Sequence, residues 1–270
     1  MTRSFHQFNC DGDALYGTLD SGSHTTALLI VSGGNEIRAG AHAGMARLAE
    51  SLSQKDFPVF RYDRRGIGDS SGHNGEFLTS RADILAATQY LGQTVPNLKK
   101  IIGFGNCDAA TSLALFSRLD GLILANPWVI ETSESTSETA SKTAASAIRA
   151  RYWNRLKNPR TIIDALSGKI DFRKFLGGLK QVTQKQENTG LSIKLRDALL
   201  ELERPCRILL AKRDTTALAF QAAWNSSDFR AVKTKTNITS NTLESASHSF
   251  ADDFARKWLE NEILEFLESA

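Results

Sequence analysis

Five short apolar runs constrain the fold of this chain more than any other feature: residues 27–31, 58–62, 100–104, 121–125 and 206–211. Each is too short for an ordinary helix, and each lacks the polar alternation of a half-exposed strand. They read as strands buried on both faces. Helical spacings fall between them, at Met45, Leu48, Ala49 and Leu52, over residues 81–91, at Leu113, Leu115, Phe116 and Leu119, and over 216–224. Strands alternating with helices in this way predict an α/β fold with a mostly parallel central sheet and helices on both faces. Residues 4–9 and 14–19 add two strands joined at Asp11-Gly12-Asp13, a hairpin turn signal. These aspartates read as turn residues rather than metal ligands, because no further ligands follow at calcium-loop spacing.

The rhythm breaks once. Residues 127–203 contain no convincing strand, only a Ser/Thr/Glu-rich stretch over 131–146 followed by helical segments. This range is expected to be a helical cap inserted into the sheet domain, which divides the chain into core (1–126), cap (127–203) and core (204–270). The last strand is expected at 230–238, ahead of a terminal helix carrying Phe250, Phe254, Trp258, Ile263 and Phe266.

In open parallel sheets, ligands bind beyond the carboxyl ends of the strands. Three segments share that rim: Ser32-Gly33-Gly34, the turn after Asp63, and Gly103-Phe104-Gly105-Asn106-Cys107-Asp108-Ala109-Ala110. The last lies between a strand and a helix. It has the form of a nucleophile elbow, where a strained turn lifts a reactive side chain above the sheet and small residues two positions either side avoid backbone clashes. Gly105 and Ala109 are those neighbours, and Cys107 takes the nucleophile position. A thiol at the first turn of a helix is favoured as thiolate by the helix dipole, although Asp108 opposes this. The ordinary alternative is a buried core thiol.

Such a nucleophile needs a base and an orienting acid, in the chain order nucleophile, acid, histidine. Of five histidines, only His248 follows Cys107. It sits just before the terminal helix, for which Ser249 and Asp252 suggest a capping box. Asp214 follows the 206–211 strand and precedes His248 by room for a helix and a strand. It is preferred over Asp228 and Glu244, and its ordinary role is a helix N-cap. The expected catalytic set is therefore Cys107, Asp214 and His248. Backbone N–H groups of Asp108 and Gly34 are expected to bind the oxyanion, with Asn35 as the fallback for the second donor.

Other chemistries lack support. Gly103 and Gly105 begin a dinucleotide fingerprint, but Asp108 stands at its third glycine and would repel a pyrophosphate. Gly66 and Gly68 lack the ending of a phosphate loop. Thirty-three basic against 30 acidic residues give a net charge of +3, too small to argue for nucleic acid. Neither a cofactor nor a metal is expected. Three distant cysteines suit a reducing compartment, and no apolar stretch is long enough for a membrane span, so a cytoplasmic location is expected. The basic aromatic segment Arg149, Arg151, Tyr152, Trp153, Arg155, Lys157 and Arg160 reads as a solvated cap helix in preference to a peripheral membrane or anionic-carrier contact.

The chain resembles the α/β-hydrolase superfamily, and more closely the hydrolases associated with the exosortase A system of exopolysaccharide-producing bacteria. The resemblance is carried by residues 33–40, 61–70 and 107–110, by Asn126-Pro127-Trp128, and by Arg151-Tyr152-Trp153. It implies an α/β-hydrolase fold with a Cys–Asp–His triad acting on a small-molecule acyl ester or thioester. Acyl transfer to a hydroxyl acceptor is the alternative activity, and a non-catalytic scaffold the alternative class.

Overall fold

In a computed structural model, residues 2–130 and 190–270 are described, and the sheet-bearing unit comprises Met1–Val129 and Lys194–Ala270. Most of the range read as a cap, including the 131–146 stretch and the basic aromatic segment, lies outside the described residues. Helix Gly190–Glu201 falls inside it, and the residues from Lys194 onward belong to the sheet unit.

Eight strands form one sheet in the order β1-β2-β4-β3-β5-β6-β7-β8. They are β1 (Arg3–Cys10), β2 (Asp13–Asp20), β3 (Thr26–Val31), β4 (Val59–Tyr62), β5 (Lys100–Asn106), β6 (Gly121–Ala125), β7 (Cys206–Ala211) and β8 (Ile238–Leu243). β1 and β2 pair antiparallel, as do β2 and β4, and all other pairings are parallel. The turn between β1 and β2 is Asp11-Gly12, with φ of 54° and 93°, the double positive φ that a tight hairpin requires.

The apolar runs divide their side chains between two cores. Leu29 and Val31 pack with Ile84 and Leu91 of helix α2 (Arg81–Thr94), Leu113 of helix α3 (Asp108–Phe116), Leu195 and Phe220. Leu28 and Ile30 pack on the other face with Leu48 and Leu52 of helix α1 (Gly44–Ser53) and with Leu259 and Ile263 of helix Asp253–Ser269. Two buried faces explain why these strands lack polar alternation.

The last strand and the terminal helix differ from expectation. Residues Arg230–Lys233 are a short helix burying Val232, and the strand is Ile238–Leu243, whose sequence ITSNTL is mostly polar. An edge strand covered on one face need not be apolar, so its pattern carried little signal. The terminal helix starts at Asp253 and is capped by Asp252, whose carboxylate accepts the Ala255 N–H, not by Ser249. Phe250 lies before it with φ 51°, buried and stacked on Trp258.

The order of strands reverses at β3, which has β4 on one side and β5 on the other. The crevice that opens at such a reversal lies between the loop after β3 and the end of β5. Cys107 follows β5.

Candidate active site

Cys107 is held where the chain turns from β5 into α3, with φ 63° and ψ −126°. A non-glycine residue pays for that conformation, so the surroundings must enforce it. They do so through its own backbone: Cys107 N–H donates to Ala125 O at 2.9 Å, and Cys107 O accepts from Trp128 N–H at 3.2 Å. Gly105 makes the turn possible, because a Cβ there would lie 2.7 Å from the Ala109 carbonyl carbon.

The imidazole of His248 hydrogen-bonds the Cys107 thiol. Its Nδ1 meets Asp214 Oδ2 at 3.0 Å, and both residues are buried. Asp214 also fills the role of helix N-cap, since the same oxygen accepts the N–H groups of Thr216 and Ala217, each at 3.1 Å. The cap fixes the carboxylate, and the fixed carboxylate orients the ring. The competing acids are engaged elsewhere: Glu244 pairs with Lys212 at the surface, and Asp228 meets Ser227.

Burial opposes charge on the His248 ring, but Asp214 and Cys107 outweigh it and raise its pKa well above the usual 6.5. Burial pushes the Cys107 thiol up, and His248 offsets this only in part, so the thiol stays above its ordinary value. The other two cysteines are also buried, and burial drives Cys206 to about 12 and Cys10 to about 11, the latter with help from Asp83. Cys107 alone among the three has an imidazole partner.

The donor side of the site departs from expectation at Gly34. Its N–H, expected to face a substrate oxygen, donates to Asp108 Oδ1 at 2.8 Å. The reason is local: Gly34 is the second residue of a turn closed by Glu36 N–H on Gly33 O, and its φ of 53° aims the N–H at the start of α3. The Asn35 side chain accepts from Asn74 Nδ2 at 3.0 Å. Asp108 N–H, at the helix start, has no partner among the described residues.

The turn after β4 braces this loop. Asp63, fully buried, accepts the Arg38 N–H at 2.5 Å and also takes the Arg38 guanidinium. Arg64 donates to Gly34 O. The runs 33–40 and 61–70 are therefore two halves of one interlocked structure.

A family model described as serine aminopeptidase, S33, matches residues 22–188. The chain belongs to the serine aminopeptidase S33 family. No curated relative matches it. Among solved structures, this S33 hydrolase is similar to the esterase Pf2001 of Pyrococcus furiosus, with 16% identity, 99% of this chain and 92% of that one covered, and a TM-score of 0.66. It is similar to the α/β hydrolase GrgF of Penicillium sp. sh18, at 17% identity, 100% and 99% coverage and a TM-score of 0.65. Est1E of Butyrivibrio proteoclasticus, solved with ferulic acid bound, gives 14%, 96% and 98%, and 0.61. These likenesses establish the α/β-hydrolase fold. Where the family name says serine, this S33 chain has Cys107.

Sequence reasoning missed residues that hold the histidine. Asn126, fully buried with φ 43°, donates from Nδ2 to His248 O at 3.2 Å and accepts the Ala211 N–H at 2.9 Å. Asn106 Nδ2 also donates to His248 O, at 3.1 Å. The signal was an asparagine at the end of each of two adjacent strands, a residue type that tolerates positive φ and can satisfy backbone across a gap.

Proposed function

We propose that this S33 hydrolase cleaves acyl esters or thioesters through a covalent intermediate on Cys107. The observation that carries the reading is the buried chain of contacts from the Cys107 thiol to His248 and from His248 to Asp214 at 3.0 Å. In the first step His248 takes the thiol proton as sulfur attacks the acyl carbon. The carbonyl oxygen gains the negative charge, and Asp108 N–H is the donor ready to receive it. Collapse of the tetrahedral species expels the alcohol or thiol, which takes the proton back from His248. Water, deprotonated by His248, then attacks the thioester and releases the acid, restoring the thiol. Asp214 holds the ring in place and stabilises the imidazolium.

No step calls for a cofactor or metal. The resemblance to exosortase-associated hydrolases supports, for the alternative of acyl transfer to a hydroxyl acceptor, a link to exopolysaccharide production, and three dispersed free cysteines favour a reducing, cytoplasmic compartment. No helix among the described residues is long and apolar enough to cross a membrane.

The test is a chain-length panel of acyl esters and thioesters on wild type, Cys107→Ser and Cys107→Ala. Wild type should hydrolyse part of the panel. Cys107→Ala should lose about 10³-fold or more, since it lacks the attacking atom while keeping the donors. Full activity in Cys107→Ala would refute the proposal.

A further inference from the structure

The two N–H groups that the elbow and the β3 loop bring to the site are not equivalent. That of Asp108 is unengaged among the described residues, while that of Gly34 is occupied by the Asp108 carboxylate at 2.8 Å. One residue thus supplies the first donor and consumes the second. The contact is built into its surroundings. Asp108 is 2% exposed. Gly33 clears a seat for it, since a Cβ there would lie 2.6 Å from the same carboxylate oxygen. Arg64 clamps Gly34 from the carbonyl side, is itself 4% exposed, and pairs with no carboxylate among the described residues. An acid at the first position of a helix satisfies the dipole in any rotamer, so the dipole does not explain the aim at Gly34.

We infer that Asp108 is a self-blocking latch on the oxyanion site. An acyl oxygen gaining negative charge cannot share the Gly34 N–H with a carboxylate, so acylation of Cys107 by a neutral ester requires Asp108 to leave that donor. The inference rests on the thiol chemistry proposed above. It makes Asp108 a positioning residue that acts through Gly34, and it makes acylation slower than the elbow alone would allow.

The test is pre-steady-state acylation by phenyl acetate, followed as phenol release, in wild type, Asp108→Ala, Asp108→Ser and Asp108→Asn. Alanine and serine cannot reach Gly34, so acylation should accelerate on the order of tenfold to a hundredfold, approaching the worth of one oxyanion donor. The gain should appear in the acylation rate constant rather than in substrate binding. Asparagine keeps an acceptor in place without the charge, and its rate should fall between. A residue with a purely structural role gives the reverse order, with losses in the small variants and rescue by asparagine. That order, or small variants no faster than wild type, overturns the latch. Should the small variants unfold, the wild-type Gly34 amide decides by NMR. The latch requires a downfield, exchange-protected proton, and an amide exchanging like a free loop residue overturns it. Intact-mass measurement separates the two ideas: absence of any acetyl adduct on Cys107 in every variant defeats the thiol chemistry and the latch together, whereas an adduct whose rate ignores Asp108 defeats the latch alone.

Discussion

The two loops that flank Cys107 are held by opposite means. Around the histidine, the base-side loop, residues 244–252, hangs from neutral groups: Asn106 and Asn126 both donate to His248 O, and Arg213 N–H bonds Ser245 O at 2.8 Å, while the charged contacts of Lys212 and the Arg213 guanidinium fall on Glu244 at the loop's exposed start. The donor-side loop, residues 32–40, hangs from charges: Asp108 on Gly34 N–H, Arg64 on Gly34 O, and Asp63 on Arg38. Asp214 bonds the imidazole directly and, together with Cys107, raises the ring's proton affinity against burial. Charged scaffolding fixes the donor loop firmly but places a carboxylate beside the developing oxyanion. Under the proposed mechanism, the difference separates a part that would transfer protons from a part that restrains.

The comparison breaks most visibly at the base. His248→Ala or Asp214→Asn should lower kcat/KM by about 10⁴-fold, as loss of a general base or of its orienting acid does in related chemistry. Asp214→Asn should leave the N-cap largely intact, because an asparagine oxygen can accept the same Thr216 and Ala217 N–H groups. Retention of kcat/KM within tenfold would remove the base side from the mechanism.

On the donor side the expected signature is lost stability. Asp63→Asn leaves the Arg38 guanidinium with the Thr18 hydroxyl and the exposed carboxylate of Asp69. Losing the charge of the fully buried Asp63 from this part-buried pair costs about 2 kcal/mol, readable as a lower denaturation midpoint. Asn126→Ala tests the neutral scaffold. It removes hydrogen bonds to Ala211 and His248 and puts alanine at φ 43°, at a cost of about 2 kcal/mol and a drop in kcat of roughly tenfold, worth about 1.4 kcal/mol. Asn126→Gly should recover part of the stability but none of the kcat. Recovery of both would mean that backbone strain, and not the bonds to His248, matters there.

The pH dependence sharpens the contrast further. The His248 pKa is raised above 6.5 by Asp214 and Cys107 against burial. Its contribution to stability is therefore complete below about pH 6.5 and is lost as pH rises through the folded value. Activity should move the other way, rising as His248 gives up the proton that keeps it from acting as a base. Denaturant midpoints and kcat/KM measured across the same pH series should cross, and in Asp214→Asn the fall in stability should flatten. The smallest effect belongs to the surface: Lys212→Ala breaks an exposed pair with Glu244 and should change stability by no more than about 0.5 kcal/mol, with kcat unaffected.

Much of this was legible in the sequence, for physical reasons. The buried strands are apolar because both faces are covered, and the elbow announces itself through small residues around Cys107. Asp214 and His248 were singled out by chain order and by their positions after strands, and the structure pairs them with each other and sets His248 beside Cys107. What escaped depends on contacts between distant segments. β8 is polar because it lies at an edge. Asn126 was visible only as part of a motif, since its role is to bridge backbone from β7 and the histidine loop. The engagement of Gly34 by Asp108 spans 74 positions in sequence, and no local pattern encodes it.

In the proposed reaction the thiol of Cys107 carries the acyl group. Rapid acid quench of the enzyme with an activated acyl ester, followed by peptide mapping by mass spectrometry, tests it directly. One acyl group per chain is expected, on the peptide containing Cys107, absent in Cys107→Ala and accumulating in a His248 variant slow to hydrolyse it. Turnover with the label on another residue, or with no covalent label at any quench time, would contradict it.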